Sequence, residues 1–165
     1  MKKIKTLLMV FVVCLLCTAC GNKTAITGDK FYEKTNKDYN VTDRSDHYDF
    51  ATSAYELNSD NNLKISFIET KNDSMSQSLF VDETKNAYTA ATNDLAEQNK
   101  DDKDFKIDDA EVDDTVTKGD NYSVVEINTS KIYYRITWID NTVMIGSIDI
   151  DSKTTLLNTM KGLGY

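Results

Sequence analysis

Between Ile132 and Asp149 the chain runs in two alternating stretches, Ile132-Tyr133-Tyr134-Arg135-Ile136-Thr137-Trp138-Ile139 and Val143-Met144-Ile145-Gly146-Ser147-Ile148-Asp149, around an Asp140-Asn141 pair. β-Branched and aromatic residues at a spacing of two fit a pleated surface, and an Asp-Asn pair is a tight-turn signal. Strands joined by so short a turn run antiparallel, because a parallel pair needs a long crossover. This hairpin therefore commits the domain to an antiparallel sheet.

The same pattern recurs upstream. Ala51, Ser53, Tyr55 and Leu57 alternate, Asn58 to Asn62 turns the chain, and Leu63, Ile65 and Phe67 alternate with Lys64 and Ser66. Phe105 and Ile107 begin a further strand that Val112 and Val116 extend; after Gly119-Asp120-Asn121 comes the strand Tyr122 to Ile127. The polar stretch Thr42 to Asp49 reads as a connection.

Three helices complete the order. Thr27 is a candidate N-cap with Ile26 stapled on Phe31, and Phe31, Thr35 and Tyr39 mark the buried side. Ser74-Met75-Ser76-Gln77 fits a capping box, and Phe80, Thr84, Ala87, Tyr88, Ala91 and Leu95 form one stripe before a polar linker from Gln98 to Asp102. The last helix starts near Asp151-Ser152, buries Leu156, Leu157 and Met160, and stops at Gly162, where Leu163 can fold back on Leu157. The order α-β-β-α-β-β-β-β-α predicts an α+β fold: a single antiparallel sheet of about five to seven strands with helices packed on it.

The first residues have a different character. Lys2, Lys3 and Lys5 precede an apolar run from Leu7 to Leu16, and Thr18-Ala19 are small. This describes a secretory signal whose core is too short to cross a bilayer of about 30 Å. The ending Cys17-Thr18-Ala19-Cys20-Gly21 resembles the lipobox of bacterial lipoproteins, with Cys17 standing where leucine is usual. The resemblance implies a signal peptide over 1–19, lipidation at Cys20, a lipidated tether over 20–25 and one extracytoplasmic domain over 26–165. It places the chain at the cell membrane, held from outside by its anchor. The even gaps of Cys14, Cys17 and Cys20 imitate a metal site, but thiolate ligands need a polar-supported cage that an apolar export segment does not offer. Only Cys20 survives cleavage, so no internal disulfide is expected.

The whole chain carries a formal charge of −8, and cleavage removes three lysines and no acid. Such a balance argues against nucleic acid and against broad adhesion to anionic lipid. The exception is the first helix, where Lys30, Lys34 and Lys37 share a face. Two readings stand open: a solvated face balanced by Asp29 and Glu33, or a set of membrane-facing lysines brought to the headgroups by a short tether. Proline is absent, and Lys, Asn, Asp, Thr and Ile are plentiful. With the lipobox, this bias points to a Gram-positive bacterium.

Ile26-Thr27 with Phe31, the segment Tyr39-Asn40-Val41-Thr42-Asp43, the Asp140-Asn141-Thr142 turn and Leu163-Gly164-Tyr165 are similar to small lipoproteins and membrane-anchored proteins of Gram-positive bacteria. Asp38 stands where that group's pattern has a glycine ending the first helix. The resemblance implies a membrane-anchored fold and carries no catalytic residue across.

Chemistry is sparse. His47 is the one histidine, and Ser45 or Ser53 with Asp46 or Asp49 would complete a triad only if the fold assembled them, since sequence neighbours rarely have that geometry. The acids Asp101, Asp102, Asp104, Asp108, Asp109, Glu111, Asp113 and Asp114 are oxygen ligands of the kind weak extracellular calcium sites use, without EF-hand spacing. Tyr55, Tyr122, Tyr133, Tyr134 and Trp138 are either core or an aromatic face for peptide or glycan. No cofactor is expected. The reading is a non-enzymatic binding or accessory module with an unknown protein or cell-wall ligand; the alternative is a carboxylate-based hydrolase acting on envelope polymers.

Overall fold

The computed structural model describes residues 22–102 and 112–165. Cys20, Phe105, Ile107, Asp104, Asp108, Asp109 and Glu111 lie outside them. The elements run α1 (Gly28–Thr35), β1 (Asn40–Asp43), β2 (Ala51–Asn58), β3 (Lys64–Thr70), α2 (Asp73–Gln98), β4 (Asp113–Lys118), β5 (Tyr122–Asn128), β6 (Ile132–Ile139), β7 (Thr142–Asp149) and α3 (Lys153–Gly162). The α+β expectation holds: all seven strands form one antiparallel sheet in the order β1-β2-β3-β7-β6-β5-β4. Two meanders, β1-β2-β3 and β4-β5-β6-β7, meet where β3 pairs with β7, with Ile65 opposite Gly146 and Phe67 opposite Met144. The strand order differs from the expected α-β-β-α-β-β-β-β-α by the extra edge strand β1, which pairs Val41 with Leu57.

Because side chains alternate across a strand, each strand feeds both faces. One face carries Leu57, Ile65, Phe67, Val124, Tyr133 and Met144 under α1 and α3; the other carries Val125, Ile127, Ile136 and Val143 under α2. Alanines do the packing in the middle of α2: Ala87 and Ala91 are its buried apolar residues, with Phe80, Tyr88 and Leu95 half-buried. Leu79, off the expected stripe, packs on this same core. The third helix comes so close to the sheet that a Cβ at Gly146 would lie 2.6 Å from Leu156 Cδ1. Leu156 and Met160 are wholly buried, whereas Leu157 is half-buried.

Thr27 caps α1 and α3 ends at Gly162 as expected, whereas the start of α2 differs from the local expectation by two residues. The N-cap of α2 is Asn72, whose Oδ1 accepts from Met75 N–H at 3.0 Å, and Ser74 lies inside the helix. Ser76 instead donates to Asp140 O at 2.6 Å and accepts from Trp138 Nε1 at 2.9 Å, latching α2 to the β6–β7 turn. Beyond the end of α3 at Gly162, the left-handed residue that closes the helix is Gly164 (φ 95°). Gly164 N–H donates to Lys161 O and Tyr165 N–H to Met160 O, the paired bonds of a Schellman end.

That end delivers Tyr165 into the core, where its hydroxyl meets Thr142 Oγ1 at 2.5 Å. Burial raises the Tyr165 phenol above its ordinary value, and bonds with Thr142 and the Ile26 backbone oppose this without cancelling it. Above about pH 10 the unfolded chain releases a proton that the folded chain keeps, so stability falls as pH rises past that point. Tyr165→Phe should lessen the loss in melting temperature between about pH 9 and 11, leaving Thr142 its bond to Ile139 O. An unchanged slope would show that Tyr165 does not hold its proton in the fold.

Candidate functional site

Helix α2 lies over β3, β7, β6 and β5, so the same face of β1 and β2 is left to a short 3-10 turn at Ser45–His47. The uncovered corner forms a shallow depression of about 190 Å³ lined by Arg44, His47, Tyr48, Glu56, Ser66 and Ile68, among others. Its floor is strand: Ser66 and Glu56 are cross-strand partners, and both point to the α2 face. Its wall is the turn that the sequence presented as a polar connection. Asp43 starts it by accepting Ser45 N–H at 2.8 Å, and the Ser45 donors, side chain first, hold the Asp43 carboxyl below the usual range.

Charge in the depression is arranged as a pair. Arg44 Nε and Nη2 both reach Glu56 Oε2 at 2.9 Å, with the two side chains about a third to two-fifths exposed (42% and 34%). An ion pair this open contributes roughly 0–1 kcal/mol to stability, so its value lies in presenting a positive and a negative group side by side. The His47 side chain is exposed beside it, and the Tyr48 ring leans on Phe50 with centroids 5.4 Å apart.

The residues that could have formed a triad are not brought together. Ser45 Oγ accepts Ala54 N–H at 3.0 Å and faces Ala54 O at 3.5 Å, so it is occupied in holding the turn to β2. Ser53 donates to Glu69 Oε2 at 3.1 Å on the opposite face, beside the start of α1. Of the acid run, Asp113 accepts from Asn128 Nδ2 and Asp114 from the Tyr88 hydroxyl. Among the described residues no group of His, Cys, Asp or Glu is spaced to hold a metal ion. The aromatic strand residues are core and latch: Tyr133 is fully buried, Tyr122 nearly so, and Trp138 is tied to Ser76.

The segment expected to be a free tether is partly built into the sheet. Lys23 N–H donates to Asn121 Oδ1 at 3.0 Å, and Asn121 Nδ2 returns a bond to Lys23 O at 2.7 Å. Ala25 and Ile26 then pack on the core, and Gly28 N–H donates to Glu69 Oε2 at 2.9 Å. From β5 to β3 the segment crosses one end of the sheet as a strap. Asn22-Lys23-Thr24 has no apolar residue to announce this; only Asn121, distant in sequence, reveals it.

Lys30, Lys34 and Lys37 are all exposed, but Lys37 lies past the end of α1 and Lys34 Nζ donates to Gly162 O at 3.2 Å. Among the described residues no helix is long and apolar enough to cross a membrane. Comparison with protein-family models, with curated proteins and with solved structures finds no match.

Proposed function

We propose that this chain is a lipid-anchored module on the outer face of the cell membrane that binds a protein or cell-wall ligand in the Arg44–Glu56 depression. The observation that carries the binding half is the shape and content of that corner: shallow, open, and offering a cation, an anion, an imidazole and a phenol side by side. Such a mixture suits a polar chain laid across it. Hydrolysis by two carboxylates would need a second acid facing Glu56, and Glu56 is itself held by Arg44.

The anchoring half rests on the lipobox ending at Cys20 and is helped by the strap. The exposed Lys30, Lys34 and Lys37 add attraction to anionic headgroups of about 1 kcal/mol each where they approach the surface.

Site-specific photocrosslinking in intact cells tests the binding reading. A photoreactive residue at His47 should give a defined adduct, and one at Thr89, on the exposed side of α2, should not. Arg44→Glu should remove the His47 adduct. Identical adducts from both positions, or none from His47, would overturn it.

A further inference from the structure

On the face opposite the depression, an Arg on β6 and lysines from the strap and from α3 come together over β5 and β6, away from the proposed binding corner. Glu126 and Arg135 are cross-strand partners, and their side chains form an ion pair. The Tyr133 hydroxyl donates to the same carboxylate oxygen, at 2.8 Å. Arg135 reaches Glu126 through Nη1, so its Nε–H is left buried with no acceptor. Two residues along the same strand, hence on the same face, the hydroxyl of Thr137 is also buried with no partner. Thr137 is 0% exposed.

Two more cations border this spot. Lys23 comes off the strap with its Nζ 4.8 Å from the centre of the Tyr122 ring. Burial, and then the nearby Arg135 charge, lower the Lys23 ammonium's pKa, so the two cations face one another. Lys153 lies on the other side, 4.2 Å over the Tyr133 ring, donating to Asn128 Oδ1. Asn128 in turn donates to Asp113 at the sheet's edge. Among the described residues, Glu126 is the one carboxylate in contact with Arg135.

Buried donors are nearly always satisfied, and an Arg Nε can only donate. What Arg135 Nε and the Thr137 hydroxyl lack is an acceptor, and the three cations share the single carboxylate of Glu126. A group with two or more anionic oxygens supplies acceptors and further negative charge, and Lys and Arg donors are the usual partners of such groups. We propose that Arg135 Nε, the Thr137 hydroxyl and Lys23 form an oxyanion subsite that takes a phosphate or carboxylate group. The oxygens would accept from Arg135 and Thr137 while Lys23 closes from the strap. The inference is independent of the Arg44–Glu56 depression, which lies on the other side of the sheet. The group could come from a lipid headgroup, given the strap's position beside the anchor, or from a soluble ligand.

The test uses the full chain in neutral detergent, with inorganic phosphate and then acetate as probes and the Arg135 Nε–Hε resonance as readout. Phosphate or acetate should shift that resonance saturably, and Lys23→Gln and Thr137→Val should each weaken binding by about tenfold. Thr137→Val keeps the side-chain shape; if it fails to fold, Lys23→Gln on the strap carries the test alone. Competition by phosphatidylglycerol added to the detergent micelles would assign the headgroup as the source, and phosphate binding that this lipid leaves unchanged would assign a soluble ligand. An Arg135 resonance that stays put up to several tens of millimolar of either probe overturns the proposal. So do equal shifts in the variants, leaving the two donors to ordered water.

Discussion

Phe31→Ala is expected to remove about 3–5 kcal/mol of stability, a large share of what a domain of this size has. Phe31 is the one large apolar side chain that α1 buries completely. Its ring stacks on Phe67 with centroids 4.8 Å apart and planes at 14°, and on Tyr55 at 6.0 Å. Truncation would open a cavity between the helix and β3 and leave an eight-residue helix with little else to hold it to the sheet. A helix that short does not persist alone. Tyr32, next in the chain and 42% exposed, is the control: Tyr32→Ala should change stability by well under 1 kcal/mol if surface position decides the effect. Urea unfolding should show the midpoint falling for Phe31→Ala with the slope unchanged. Equal losses for the two variants would mean that α1 is not docked through Phe31.

The strand pattern was legible because burial on one or both faces writes itself into adjacent residues. Tyr133 and Ile139 point to the α1/α3 core while Ile136 and Trp138 point to the α2 core, and both sets are apolar. Asn40–Asp43 escaped this logic. Four residues with one apolar side chain carry almost no periodicity, and as an edge strand its pairing is decided by β2. Two helix ends, the Thr27 cap of α1 and the Gly162 end of α3, were legible in position, and the start of α2 only in kind. Asn72 and Ser74 both fit an N-cap, and the choice falls on Asn72 because Thr70 and Asn141 exchange backbone and side-chain bonds that fix the chain just before it. The helix α3 ends at Gly162, and either Gly162 or Gly164 could take the left-handed conformation that closes it. Gly164 is used because the next residue, Tyr165, has a buried place against Thr142 and Phe67. Neither choice is local.

The candidate sites were the least legible part. The depression is built from a turn that reads as solvent-exposed and from the polar side of β2, and only the extent of α2 leaves it open. The unsatisfied donors of Arg135 and Thr137 exist only once the fold has buried this face of β6. Sequence pattern reports burial well. It reports the meeting of distant polar groups poorly, because each is individually unremarkable in composition.

Cys20→Ala is expected to release the protein from the membrane altogether. In the lipoprotein reading the anchor is the two or three acyl chains carried by this residue, and a single chain alone gives only marginal, reversible binding. The protein surface offers little to replace them. Asn121 pins the strap at Lys23, three residues beyond Cys20, and an extended chain covers at most about 3.6 Å per residue. A lipidated Cys20 would therefore hold the end of the sheet bearing the Asp120-Asn121 and Asp140-Asn141 turns within roughly 10 Å of the headgroups. That end also carries Asp49 and the Asp73 start of α2, next to Ala51 and Thr70 on paired strands. Lys23 and Lys71 stand among these acids, so without acyl chains the attraction to an anionic surface comes only from scattered lysines there and on α1, on the order of 1 kcal/mol each under salt screening. Fractionation should move the Cys20→Ala chain from membrane to medium or soluble fraction, and mass spectrometry of the unsubstituted protein should show acyl chains that the variant lacks. A variant that stays with the membrane, and an unsubstituted protein with no acyl mass on Cys20, would together refute the lipid anchor and leave the acidic end of the sheet without a reason to lie near a bilayer.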